Sequence, residues 1–236
     1  GTAWTQLGAD IDGEAASDNS GDSVSLSADG TKVAIGALLN DDGPGNNSGH
    51  VRIYNYNGTA WTQLGADING EAASDNSGYS VSLSSDGTKV AIGAYQNDGT
   101  ASAAGHVRIY NYTPSGTASW TQLGADIDGE ANGDLSGYSV SLSSDGTKVA
   151  IGANANDGNG SNAGHVRIYN YNGTAWTQLG ADINGEAASD NSGYSVSLSS
   201  DGTKVAIGAY QNDGTASAAG HVRIYNYTPS GTASWT

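Results

Sequence analysis

The sequence predicts an all-β fold of the β-propeller type: tandem repeats of four-stranded antiparallel blades, four in this chain. Three observations carry this. Five tryptophans recur at near-constant spacing, each repeat holds the same short alternating segments between turn signals, and no stretch shows capped helical periodicity.

Trp4, Trp61, Trp120, Trp176 and Trp235 lie 57, 59, 56 and 59 residues apart. The first four open the phrase WTQLGADI, and each repeat continues through GEA, SVSLS, DGTKVAIGA and GHVRIYNY. Self-similarity at such a period marks units that cannot bury their apolar faces alone and must stack on their copies. The chain is one repeat array, 1–236, with blades at approximately 4–60, 61–119, 120–175 and 176–234. Residues 61–120 are identical to 176–235, so a pair of repeats forms a larger unit. The array starts and stops within the same Trp-bearing strand and reads as a window on a longer array. Three architectures are compatible: four blades closing alone, two copies forming an eight-bladed ring, or an array that runs on into a fibre.

Within a repeat the strands follow in order. Ser23-Val24-Ser25-Leu26-Ser27 alternates polar and apolar, the period of a half-buried strand. Asp29-Gly30 signals a tight hairpin turn, and Lys32-Val33-Ala34-Ile35-Gly36 alternates again. A loop rich in Asn, Asp, Gly and Ser follows, from Asn40 to Gly49. His50 to Tyr56 is the third strand, with Val51 and Ile53 on one face and His50, Arg52, Tyr54 and Tyr56 on the other. Asn57-Gly58 turns the chain into the fourth strand, Trp61 to Ile68. Ala34, Gly36 and Ala37 leave room for close sheet-to-sheet approach, and radial stacking keeps sheet edges short.

Composition narrows the function. The 236 residues hold 24 acidic and 8 basic side chains, for a net charge of −16. That balance argues against nucleic acid, which is bound by cations that neutralise phosphates, and against anionic membrane surfaces. No apolar run approaches the roughly 20 residues needed to span a bilayer. The absence of Cys excludes disulfides and thiolate zinc sites.

The phrase SGYSVSLSSDGTKVAIGA followed by GHVRIYNY resembles the FG-GAP repeat, the blade of integrin-α-like propellers and many bacterial surface proteins. The family's Phe-Gly pair is replaced by Ser20-Gly21, Ser77-Gly78, Ser136-Gly137 and Ser192-Gly193. The resemblance implies a propeller at the cell surface or outside the cell. Many such blades carry a DxDxDG calcium loop between the first two strands; here that turn is Ser85-Asp86-Gly87-Thr88. One carboxylate does not supply the six to eight oxygens calcium takes.

No cofactor is required by the sequence, and calcium is the one metal it suggests. The candidate ligands are Asp10, Asp12 and Glu14, repeated as Asp126, Asp128 and Glu130: carboxylates at alternate positions around a glycine. The candidate ligand-binding residues are Tyr95 and Tyr210 in the variable loops, with His106 and Arg108 on the third strand. For His106 and Arg108 the recurrence in every repeat favours blade packing, with the Arg paired to a carboxylate, over a ligand surface. No residue capable of catalysis stands out in one repeat alone, and no nucleophile elbow, Walker loop or HExxH phrase occurs. The sequence therefore predicts a non-enzymatic extracellular structural or adhesive protein that self-associates into an oligomer or fibre. The alternative is a lectin-like propeller that binds a glycan or a surface protein. Replacing Ile92 with Ala is expected to cost about 2–5 kcal/mol, and the loop change Asn97→Ser to be near neutral, within about 0.5 kcal/mol.

Overall fold

The protein is described by a computed structural model covering residues 3–114, 119–229 and 234–236. All regular structure in these residues is β. Four antiparallel sheets follow one another along the chain, each beginning at a Ser-Gly-containing segment and ending at a Trp strand. In blade 1 the strands are Ser20–Leu26, Lys32–Ala37, His50–Tyr56 and Trp61–Gln63, in that spatial order. Ile68–Asn69 resumes the fourth strand after a break and pairs with the upper part of the third, Val51 opposite Ile68. Blades 2, 3 and 4 repeat the plan over Ser80–Asp128, Ser136–Asn184 and Ser195–Trp235.

Alternation works as expected on both sides of each middle strand, because every interior blade has a neighbour on each face. Ala34, Val51 and Ile53 of blade 1 pack with Leu83, Val90 and Ile92 of blade 2, and the same layer recurs between blades 2 and 3 and between blades 3 and 4. Small side chains make up for the scarcity of large ones. Ala34, Ala91 and Ala150 are fully buried, so thin sheets stack closely. The first strands of neighbouring blades touch one another in chain order and define the inside of the arc.

Each junction also has a fixed set of polar links. The Ser23 hydroxyl donates to the Gly78 carbonyl of the next blade (2.6 Å), and Ser80 and Ser139 do the same to Gly137 and Gly193. The Lys32 ammonium donates to the Asp86 carbonyl (2.9 Å), and Lys89 and Lys148 to those of Asp145 and Asp201. Trp120, Trp176 and Trp235 each donate an indole N–H to the preceding blade, at Leu64, Leu123 and Leu179. A Cβ on Gly36 would collide with the Gly78 carbonyl, so glycine is required where the blades touch.

One expectation is corrected. Asn97 is not a tolerant loop residue: it is 6 % exposed, its amide N–H donates to Asp75 (3.0 Å), and its amide oxygen accepts from Gly99 N (2.8 Å). Asn40, Asn156 and Asn212 hold Asp18, Asp134 and Asp190 in the same way. The sequence hides this because Asn and Asp lie 22 residues apart and both look like turn formers.

Candidate functional site

Two constellations gather polar chemistry. The first lies at one end of the inner strands. In blades 1 and 3 the register of the first strand slips between Ser20 and Ser23, and between Ser136 and Ser139. Such bulges re-aim a side chain, and the residues inside them are Gly21 and Asp22 in blade 1 and Gly137 and Tyr138 in blade 3. Tyr79 and Tyr194 hold the same position in blades 2 and 4. The rings form a ladder: Tyr79 to Tyr138 is 4.8 Å between centroids and Tyr138 to Tyr194 is 5.0 Å. Tyr95 stands 4.4 Å from Tyr79, and Tyr210 stands 4.4 Å from Tyr194. Burial, together with the neighbouring hydroxyls of Tyr79 and Tyr194, raises the Tyr138 pKa. Burial also raises Tyr79 and Tyr95, and the charge of Asp22 adds to both shifts. These hydroxyls stay protonated at neutral pH and serve as hydrogen-bond donors.

The second constellation occurs three times, once at the third strand of each of blades 1, 2 and 3. Glu14, His50 and Asp67 bring one ligand atom each within 4.8 Å of one another, as do Glu71, His106 and Asp126, and Glu130, His165 and Asp182. These clusters could hold a metal ion. One imidazole nitrogen with two carboxylates matches the three-ligand sets of nitrogen- and oxygen-bound metals better than the all-oxygen shell of calcium. Each glutamate also faces an arginine: Arg108 lies 3.3 Å from Glu71 and Arg52 lies 3.4 Å from Glu14. Burial, then the nearby arginine, lowers His106 and His165 to about 4, so both are neutral at pH 7.

The residues singled out from the sequence divide between these places. Tyr95 and Tyr210 join the tyrosine ladder. His106 (1 % exposed) and Arg108 (4 %) lie inside the blade stack, against Glu71, and present no surface to a glycan or protein ligand. The alternating carboxylates do not converge on one ion. Asp126 turns to His106 in blade 2, while Glu130 reaches His165 in blade 3, because this segment crosses from one blade to the next. Glu14 joins His50, whereas Asp10 accepts from Gln6, and the backbone carbonyls of Asp12 and Asp128 accept from Arg52 and Arg167. Asp22 was missed. Its signal was available: it is the departure from Tyr in the SGYSVSLS phrase.

No protein-family model and no curated protein matches the sequence. Among solved structures, the chain is similar to hydrazine synthase of Kuenenia stuttgartiensis, with a TM-score of 0.55 at 10 % identity, covering 92 % of this chain and 49 % of that one. It is equally similar to the periplasmic gluconolactonase of Pseudomonas aeruginosa, with a TM-score of 0.55 at 14 % identity, covering 91 % and 55 %. The chain thus spans about half the length of these structures. At such identities the likeness establishes a β-propeller-like fold and no more.

The expectation of a non-enzymatic structural or adhesive protein, with a lectin-like binder as its alternative, is corrected on this point. Both similar structures bear the names of enzymes. The argument that identical repeats exclude catalysis also fails on this chain's own geometry. The inner ends of the blades are not equivalent: Asp22 stands where the other blades have Tyr, and Leu38 and Asn154 stand where blades 2 and 4 have Tyr95 and Tyr210.

Proposed function

We propose that this chain is part of a propeller enzyme that hydrolyses a sugar lactone at the inner tyrosine ladder. The observation that carries the reading is the meeting of five tyrosines with the single acidic residue Asp22 at one end of the inner strands. Tyrosine faces suit the C–H-lined face of a sugar ring, and their protonated hydroxyls suit a carbonyl oxygen on which negative charge develops. Asp22 serves as general base: it takes a proton from water as the water oxygen attacks the lactone carbonyl. The tetrahedral intermediate then collapses, the ring C–O bond breaks, and the leaving alkoxide takes the proton back from Asp22. The product is the open hydroxy acid. Similarity to a gluconolactonase supports the fold and motivates the choice of substrate.

Two finer points belong to the same reading. The blade is of FG-GAP type, supported by the SGYSVSLS and GHVRIYNY phrases. A location outside the cell is supported by that resemblance alone. A metal ion held by Glu14, His50 and Asp67 is tested by calorimetry with millimolar calcium or zinc, where absence of heat sinks it.

The test of the activity is acid release from glucono-lactone in a pH-stat, against the uncatalysed rate. The chain accelerates opening, Asp22→Asn lowers kcat by about 100-fold, and Tyr138→Phe lowers it by about 10-fold. No acceleration over buffer, or full activity in Asp22→Asn, overturns the proposal.

A further inference from the structure

The backbone fixes where the members of each Glu-His-Asp cluster stand. His106 opens the third strand of blade 2 and is paired on both sides, with Ala94 of the second strand and with Asp128 of the resumed fourth. Asp126 lies two residues before Asp128. Glu71 has a different origin: it follows Ile68–Asn69, which pairs with the third strand of blade 1, and lies in the segment that crosses to blade 2. Glu130 crosses in the same way to His165 and Asp182 of blade 3, and Glu14 precedes the blade that holds His50 and Asp67. In each cluster, then, the histidine and aspartate belong to one blade and the glutamate to the segment that leads into it.

The three imidazoles are buried, while Glu71 and Glu130 reach solvent and leave an ion a way in. The Nδ1 atoms of His50, His106 and His165 stand 3.7, 3.8 and 3.8 Å from a glutamate oxygen, too far for a hydrogen bond. The His50 Nδ1 is buried, at a residue 1 % exposed, and has no hydrogen-bond partner among the described residues. Buried polar nitrogens are rarely left so unless a water or an ion completes them. Two atoms bound tetrahedrally to one ion at 2.0–2.2 Å stand about 3.4 Å apart, so a small turn of the carboxylates closes the gap. Those carboxylates are already oriented. One oxygen of Glu71 faces Arg108 at 3.3 Å and the other is turned to His106. Asp67, Asp126 and Asp182 each accept an amide N–H from a glutamine four residues earlier, Gln63, Gln122 and Gln178, at 2.6 Å. Partners of this kind aim the ligands of metal sites.

We propose that each of the three clusters holds one divalent transition-metal ion of the zinc class, bound by one imidazole nitrogen and two carboxylates with water in the remaining position, and that the ion clasps the crossing segment to the blade it enters. The imidazole donor selects such an ion over calcium and magnesium, which take oxygen ligands. The role is structural: the ion binds the folded junction and not the unfolded chain, in which glutamate and histidine are more than 30 residues apart, so it stabilises the array. This assignment rests on the reading of Glu14, His50 and Asp67 as a metal cluster and adds an ion class, a number and a role. It is independent of the lactonase activity.

The test is calorimetric titration of the 236-residue chain, free of affinity tags and stripped with chelator, with zinc chloride, followed by metal analysis after dialysis. Three ions bind per chain, calcium at the same concentration gives no heat, and excess zinc raises Tm by roughly 5 °C or more. Asp126→Ala melts near the wild-type temperature in chelator and binds two ions; Asp182→Ala gives the same reading at blade 3. Asp10→Ala, in the same WTQLGADI phrase but in none of the three clusters, still binds three. Heat with calcium equal to that with zinc, Asp126→Ala and Asp182→Ala chains that both keep three ions, or an Asp10→Ala chain that holds two overturns the proposal. No binding of either ion ends it together with the metal reading of Glu14, His50 and Asp67; a single bound ion per chain ends it alone.

Discussion

The change Asn97→Ser measures how far the loops are structural. Asn97 and Asp75 are 6 % and 2 % exposed, and among the described residues the Asn97 amide is the one side chain that donates to the Asp75 carboxylate, whose other donors are the backbone N–H groups of Ala72 and Glu71. Serine is too short to reach Asp75 and Gly99 together. A hydrogen bond to a charged acceptor is worth about 1.5–3 kcal/mol, and a buried neutral one about 1 kcal/mol. Allowing for partial relaxation, the variant loses about 2–3 kcal/mol. For a chain of this size that lowers Tm by roughly 5–10 °C. The assay is thermal unfolding followed by circular dichroism, with Ser102→Ala, an exposed change in the same loop, as the control at about ±0.5 kcal/mol. Equal melting of the two variants would refute the role given to the Asn–Asp brace.

Ile92→Ala removes a side chain that is 1 % exposed between blades 1 and 2, and costs about 2–5 kcal/mol in urea unfolding; a loss below about 1 kcal/mol contradicts the packing described. His106 and His165 have folded-state values of about 4 against an ordinary 6.5, so the unfolded chain binds more protons between those limits. Their contribution to stability is complete above pH 6.5 and is lost as pH falls towards 4, on the order of 2 kcal/mol each by pH 5. Urea midpoints at pH 7 and pH 5 check this, and equal midpoints contradict it. Gly93→Ala drives a Cβ into the Gly137 carbonyl and is expected to weaken the junction of blades 2 and 3 by more than about 2 kcal/mol, read as a lowered Tm.

Much of the fold is legible in the sequence because its signals are local. Alternation in Ser23–Ser27 and Lys32–Gly36 and the turn at Asp29-Gly30 each lie within a few residues. The junctions are not legible, since Ser23 and Gly78, or Lys32 and Asp86, are more than 50 residues apart and nothing local marks them as partners. The expected calcium ligands show the opposite failure: adjacency in sequence suggested a shared ion, and the crossing between blades sent Asp126 and Glu130 to different clusters. The tyrosine ladder escaped notice because Tyr79, Tyr138 and Tyr194 meet only when the blades stack. Asp22 was visible as a substitution, but its meaning depends on that ladder.

The central claim is that near-identical blades stack on one another through one repeated junction. Small-angle X-ray scattering tests it most directly. The account predicts the profile of one compact arc of four stacked blades. The profile of an extended string of separate blades would contradict it.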